Sequence, residues 1–147
     1  MDVVVFDIDG VLSDNSSYKG WFDKGGDFVP EKFEEEILSF KVNSWAKHLL
    51  EAINITSEVV LLTSRRNSFR DKTIAWLRSN ELFYDQLFTN DEKKDFVEHK
   101  LSVLKLLEDR GYDIKFIVED NPELVCAMRK AGYVVLQPNH LYGDCDE

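Results

Sequence analysis

Five short runs of branched and aromatic residues recur along the chain, each separated from the next by a stretch with helical spacing. This alternation restricts the fold more than any other feature. Val3 to Asp7, Glu58 to Thr63 (EVVLLT), Asp85 to Thr89 (DQLFT), Ile114 to Val118 (IKFIV) and Tyr133 to Leu136 read as strands. Ser44 to Ile53 carries Trp45, Leu49 and Ile53 at helical spacing; Ser68 to Leu82 carries Phe69, Ile74, Trp76 and Leu77; Phe96 to Arg110 carries Leu101, Leu104 and Leu107. Asn121-Pro122 reads as an N-cap followed by proline at the first helical position, opening a helix that runs to Gly132. Val3 to Phe6 shows no polar alternation, as expected of a strand covered on both faces. Strands joined through helices pair in parallel by right-handed crossovers. The expected fold is therefore α/β, a three-layer α/β/α sandwich around a five-stranded, parallel, Rossmann-like sheet.

Open sheets of this kind bind ligands beyond the carboxyl ends of their strands. The polar residues at those ends should then make chemical sense together. After the first strand come Asp7 and Asp9, after the second Thr63, Ser64, Arg65 and Arg66, and after the fourth Glu119, Asp120 and Asn121. Lys100, near the start of the helix before the fourth strand, is a candidate cation, with Lys93, Lys94 and Lys105 as rivals. Acids crowded at the end of an apolar strand repel one another and resist ionisation, unless a cation or a catalytic role compensates.

Such a set suits one phosphate and one Mg²⁺, a hard cation usually held by one or two carboxylates together with phosphate oxygens. Asp7 is the expected nucleophile, forming an aspartyl-phosphate. Asp9 is the expected general acid and then general base. Thr63 and the amides after it, Ser64 included, would bind the phosphate oxygens, and Lys100 would offset their charge.

Four ordered segments, FDIDG at 6 to 10, LLTSR at 61 to 65, Lys100 and IVEDN at 117 to 121, resemble the motifs of the haloacid dehalogenase superfamily of phosphohydrolases. The resemblance implies the same roles for Asp7, Asp9, Thr63 and Lys100. It adds the Asp9 backbone carbonyl and Asp120 as magnesium ligands beside Asp7, with Glu119 in support. Nearly the whole chain, through PEKFEEE, SRRNSFRDKTIAWL and EDNPELVCAMRKAGYVVLQP, is similar to the phosphatase domain of phage polynucleotide kinases, which removes 3′-phosphates from nucleic-acid ends. That likeness implies substrate contact by Arg65. Val11 stands where the family usually has threonine, and Lys19 is the nearest stand-in for an arginine expected about a turn further on. No GxxxxGK[ST] loop occurs, so only the phosphatase half is implied.

Length and charge narrow the substrate. With 147 residues, 44% of them hydrophobic, the chain is expected to form one domain over 1–147. A net charge of −10 argues against a basic face tracking a long nucleic-acid backbone, though not against a small anion site. The expected substrate is a phosphorylated nucleic-acid end or a nucleotide; a small metabolite, or phosphate binding without turnover, are the alternatives. Cys126 and Cys145 are too few for a disulfide framework, and no leader-like or membrane-length apolar run occurs, so a cytoplasmic setting without membrane contact is expected. Oligomeric state is not readable from the sequence.

Residues 15–42 fall between the first strand and the next helix. They should form a small flap over an open cleft, with Tyr18, Trp21 and Phe22 as aromatic contact points and PEKFEEEILSF as a short helix. Other residues have plainer readings. Asp14 reads as a turn or flap residue, Arg66 and Arg70 as surface charges, and Glu31 to Glu36 as the wet face of a helix. Trp45, Trp76 and the Leu101, Leu104, Leu107 stripe read as core, and Cys126 as buried and inert. His48, His99 and His140 lack metal-ligand spacing.

Overall fold

A computed structural model describes residues 1–16, 18–91 and 94–139. The strands are β1 (Asp2–Phe6), β2 (Glu58–Arg66), β3 (Gln86–Asn90), β4 (Asp113–Val118) and β5 (Val135–Leu136). The helices are α1 (Pro30–Glu36), α2 (Ser44–Ile53), α3 (Arg70–Ser79), α4 (Phe96–Asp109) and α5 (Pro122–Lys130). The sheet order is β3-β2-β1-β4-β5, with every pairing parallel.

β1 is central, which explains its unbroken apolar run. Its side chains alternate between two cores. Val4 and Phe6 face Ala46 and Leu50 of α2 and Trp76 and Leu77 of α3. Val3 and Val5 face Val103, Leu104 and Leu107 of α4 and Leu124, Val125 and Met128 of α5. Helices thus cover both faces, as parallel sheets require, and each large side chain so buried contributes roughly 1.5–3 kcal/mol.

Between β1 and α2 the chain makes a small excursion. Its ends are tied together by the Ser13–Val42 bridge and by the Asn43 side chain, which donates to the Val11 carbonyl at 2.9 Å. Within it, Phe22 and Phe28 pair across a glycine turn with an edge-to-face ring contact at 5.8 Å. Trp21 is buried against Phe33 and Phe40, and its indole N–H donates to Glu36. It is therefore part of the packing and not an exposed contact point.

Several expectations need correction. β2 continues through Arg66, because Arg66 still registers against Asn90 of β3 after a shift in pairing. That delays the following helix: α3 starts at Arg70 after a 3-10 turn over Asn67–Phe69. Trp45 is 44% exposed, since Ala46 and Leu50 form the inward stripe of α2. On α4 the buried stripe includes Val103, while Leu101 is only half-buried. Cys126 is exposed on α5. Arg70 is no free surface charge, because it donates to the Leu87 carbonyl at 2.9 Å. Lys93, His140 and Cys145 lie outside the described residues.

Candidate active site

Because β2, β1 and β4 are neighbours, their carboxyl ends converge. Asp7 follows β1 directly, and its amide donates to Val118 O at 2.9 Å, locking the turn to the end of β4. Beyond β4 stand Glu119 and Asp120. Asn121 then caps α5, its Oδ1 accepting from the amides of Glu123 and Leu124 at 3.0 and 3.2 Å.

Lys100 reaches this corner from α4 with its side chain only 2% exposed. Its ammonium donates to Asp7 Oδ1 at 2.8 Å and to Glu119 Oε1 at 2.7 Å. The other Glu119 oxygen accepts from the amides of Asp120 and Asn121 at 3.1 and 3.2 Å. Both Glu119 oxygens are thus engaged by the protein, which suits a supporting residue better than a direct ligand.

Gly10 makes room for the third acid. Its φ is +84°, and a Cβ there would lie 2.1 Å from Asp120 Oδ2, so both the conformation and the close approach demand glycine.

Asp7, Glu119 and Asp120 each offer a carboxylate oxygen, all within 4.8 Å of one another, and all three residues are buried. One lysine compensates this group only in part. Burial, reinforced by Glu119 and Asp9 and opposed by Lys100, pushes the Asp7 carboxyl up to about 8. Burial alone would lower the Lys100 ammonium, but the two carboxylates outweigh it and hold it above its ordinary value. An all-oxygen, over-acidic pocket of this kind fits a hard divalent cation, for which Asp7 and Asp120 are the candidate side-chain ligands.

Asp9, two residues beyond Asp7, lines the same cavity. Arg65, at 4% exposure, grips it from β2: Nε donates to Oδ2 at 2.9 Å and Nη2 to Oδ1 at 2.7 Å. The third nitrogen, Nη1, donates to Thr73 Oγ1 on α3 at 3.0 Å. Three of its five N–H donors thus meet Asp9 and Thr73, and Arg65 also borders a cavity together with Ser64 and Arg66. Thr63 is fully buried, with Oγ1 accepting from the Arg65 amide at 3.1 Å, while Ser64 faces the cavities. Lys19 sits exposed on a 3-10 turn and lines neither cavity described below.

A solvent-facing cavity of about 560 Å³ opens over Asp7, Asp9, Lys100 and Asp120, walled by Phe22, Phe28, Phe96 and Leu124. A second, of about 520 Å³, shares Asp9, Phe22, Phe28, Ser64 and Asn121 with it and runs past Arg66. Charged chemistry therefore sits at the base of an aromatic-sided cleft. Phe28 and Thr73 had escaped the sequence reading. The pattern WFDKGGDF gave a signal for Phe28, as the partner of Phe22 across a turn; Thr73 had none.

A family model described as HAD superfamily, subfamily IIIB (acid phosphatase) matches residues 1–144. No curated protein matches the chain in sequence. Among solved structures, a chain of the Pnkp1/Rnl/Hen1 RNA repair complex is similar at a TM-score of 0.74 and 22% identity, over 98% of this chain and 43% of that one. The class C acid phosphatase from Bacillus anthracis with tungstate bound is similar at 0.67 and 17%, over 97% of this chain and 68% of that one. A hydrolase from Streptococcus pneumoniae TIGR4 is similar at 0.66 and 20%, over 94% and 92%. The chain spans less than half the length of the repair-complex chains it matches.

Proposed function

Since the chain belongs to the HAD superfamily, subfamily IIIB, and is a hydrolase of the phosphatase type, we propose that it is a Mg²⁺-dependent phosphomonoesterase that removes 3′-phosphates from nucleic-acid ends. The observation that carries the chemistry is the convergence of Asp7, Lys100 and Asp120 beside an Asp9 held through both its oxygens.

In this reading an Asp7 carboxylate oxygen attacks phosphorus and the bond from phosphorus to the ester oxygen breaks. Asp9, protonated at a carboxyl lone pair that Arg65 does not occupy, gives that proton to the departing alkoxide and is left as the carboxylate that the two Arg65 donors stabilise. Water then attacks the aspartyl-phosphate, Asp9 takes its proton, and Asp7 and phosphate are released. Lys100 holds Asp7 in place and offsets the charge gathered on nucleophile and phosphate. Thr63 orders the turn that presents Ser64 to the phosphate, and Arg65 serves the substrate through Asp9. Lys19 is left as a more distant contact for substrate. Asp7, Asp120 and the Asp9 carbonyl would hold Mg²⁺, whose charge would offset that of the phosphoryl group. One domain over 1–147 with a flap at about 15–42 suffices for all of these roles.

The polynucleotide preference has separate support. Phe22 and Phe28 offer half-exposed rings at the mouth of the cleft, and base stacking is worth roughly 1–3 kcal/mol. The likeness to a chain of an RNA repair complex over 98% of this chain points the same way. The net charge of −10 favours a nucleotidase or small-metabolite phosphatase as the second reading. Turnover with Mg²⁺ on a 3′-phosphorylated oligonucleotide, a 5′-phosphorylated one, 3′- and 5′-mononucleotides and sugar phosphates separates them. The highest kcat/KM is expected on the 3′-phosphorylated oligonucleotide. Preference for free mononucleotides or sugar phosphates selects the second reading, and phosphate binding with no turnover on any of them would leave a binding module.

A further inference from the structure

Arg65 is 4% exposed, borders the second cavity, and is held on its other sides by named partners. Two nitrogens grip Asp9, the third donates to the fully buried Thr73 hydroxyl, and the guanidinium carbon lies 5.0 Å from the Phe33 ring centroid and 5.7 Å from that of Phe40. Thr73 belongs to α3, whereas Phe33 and Phe40 belong to the excursion between β1 and α2. The same two elements are joined a turn further along α3, where the Trp76 indole donates to Phe40 O at 2.8 Å.

We propose that Thr73 is a positioning residue for proton delivery to the leaving group, acting through Arg65 on Asp9, with Phe33 and Phe40 closing the bracket. This rests on the reading of Asp9 as general acid. The physical reason is geometric. A guanidinium pinned only through Nε and Nη2 can pivot together with the carboxylate it holds, whereas a third bond through Nη1 fixes its plane and so the direction of both Asp9 oxygens. The aromatic faces add attraction for the cation and exclude water that would compete for its donors. A misplacement of a proton donor by about 1 Å is enough to cost on the order of 100-fold in rate.

The consequence depends on the leaving group. An alkoxide such as a nucleoside 3′-oxygen must be protonated as it leaves, whereas 4-nitrophenolate departs without a proton. Thr73→Val removes the hydroxyl at constant shape, so kcat/KM for a 3′-phosphorylated oligonucleotide should fall at least about tenfold more than kcat/KM for 4-nitrophenyl phosphate. Thr73→Ser keeps the hydroxyl and should restore the parental ratio. Phe33→Leu keeps apolar bulk, loses the ring face, and should shift the ratio in the same direction by a smaller factor. Using kcat/KM confines the comparison to the step in which the ester bond breaks.

Asp9→Asn, measured on the same two substrates, keeps the two levels apart. A selective loss there, together with a selective loss in Thr73→Val and rescue in Thr73→Ser, supports the proposal. If Asp9→Asn is selective while folded Thr73→Val and Phe33→Leu keep the parental ratio or lose equally on both substrates, the bracket has no positioning role. If Asp9→Asn itself loses equally on both, the general-acid reading fails and the proposal falls with it.

Discussion

The Lys100 ammonium lies 2.8 Å from Asp7 Oδ1, across 93 positions of sequence, and both side chains are almost fully buried. Removing one partner of a buried ion pair leaves the other uncompensated, typically at a cost of about 3–5 kcal/mol. Here the group left without its cation is chiefly Glu119, whose Oε1 accepts from Lys100 at 2.7 Å, since the metal-free Asp7 carboxyl holds a proton below about pH 8. Lys100→Met should therefore lower the melting temperature by several degrees and abolish measurable phosphate release. Lys100→Arg should not rescue turnover, because a planar fork does not reproduce a point charge set between two carboxylates. A Lys100→Met protein that melts at the parental temperature would show that the lysine does not hold this corner together.

Asp7 makes the fold pay for its chemistry in a pH-dependent way. Its folded carboxyl titrates at about 8 against an ordinary value of 3.8, so between these values the folded chain holds a proton that the unfolded chain has released. The contribution is complete below 3.8 and is lost as pH rises through 8. Asp7→Asn removes this liability. Measured without metal, the gain in melting temperature of Asp7→Asn over the parent should be near zero at pH 4 and grow steadily to pH 8. Activity, by contrast, should vanish at every pH, since an amide is no nucleophile.

Chelation should stop turnover and Mg²⁺ should restore it. A readout independent of activity follows from mass action: a ligand that binds only the folded state raises stability, by roughly 2.7 kcal/mol at a hundredfold excess over its dissociation constant. Mg²⁺ should raise the melting temperature of the parent and have far less effect on Asp120→Asn. Ca²⁺ should stabilise while supporting little catalysis, because it accepts looser coordination. Full activity after exhaustive chelation would reject the metal assignment.

Gly10→Ala tests the cradle around Asp120. Its Cβ would sit 2.1 Å from a carboxylate oxygen, at a φ of +84° that side chains disfavour. Displacement of Asp120 should cost at least tenfold in apparent Mg²⁺ affinity and about 1–3 kcal/mol in stability. Titrating turnover with Mg²⁺ measures the first, thermal melting the second. An alanine variant with parental Mg²⁺ dependence would show that Asp120 is not held by this contact.

Phe28→Ala should raise KM for a 3′-phosphorylated oligonucleotide about 5- to 50-fold, with little change for a sugar phosphate, because only the former has a base to stack. An equal rise for both substrates would assign Phe28 to the shape of the cleft.

Much of this molecule could be read from local pattern. The strand Val3 to Phe6 announced cover on both faces by lacking polar alternation, and Asn121-Pro122 announced a helix start. Local pattern also placed Asp7, Asp9 and Asp120 at one end of the sheet, since the ends of parallel strands share a side whatever their order. It failed where helical period alone had to choose a face. Trp45 was assigned inward on α2, but Ala46 and Leu50 make the closer fit against β2.

What remained undecided until the chain was folded is who meets whom. Lys100 was favoured for the site by its position alone, with three rival lysines nearby, and the placement of α4 beside β1 and β4 is what buries it between Asp7 and Glu119. Arg65 read as a substrate contact; the fold keeps it at the edge of the second cavity and adds Asp9, Thr73 and two rings from a distant segment as its partners. The division has a physical cause. Strand and helix patterns arise from interactions within a few residues, which any sequence window contains. Hydrogen bonds spanning 56 or 93 positions depend on strand order, register and side-chain direction, and those exist only once the sheet has formed.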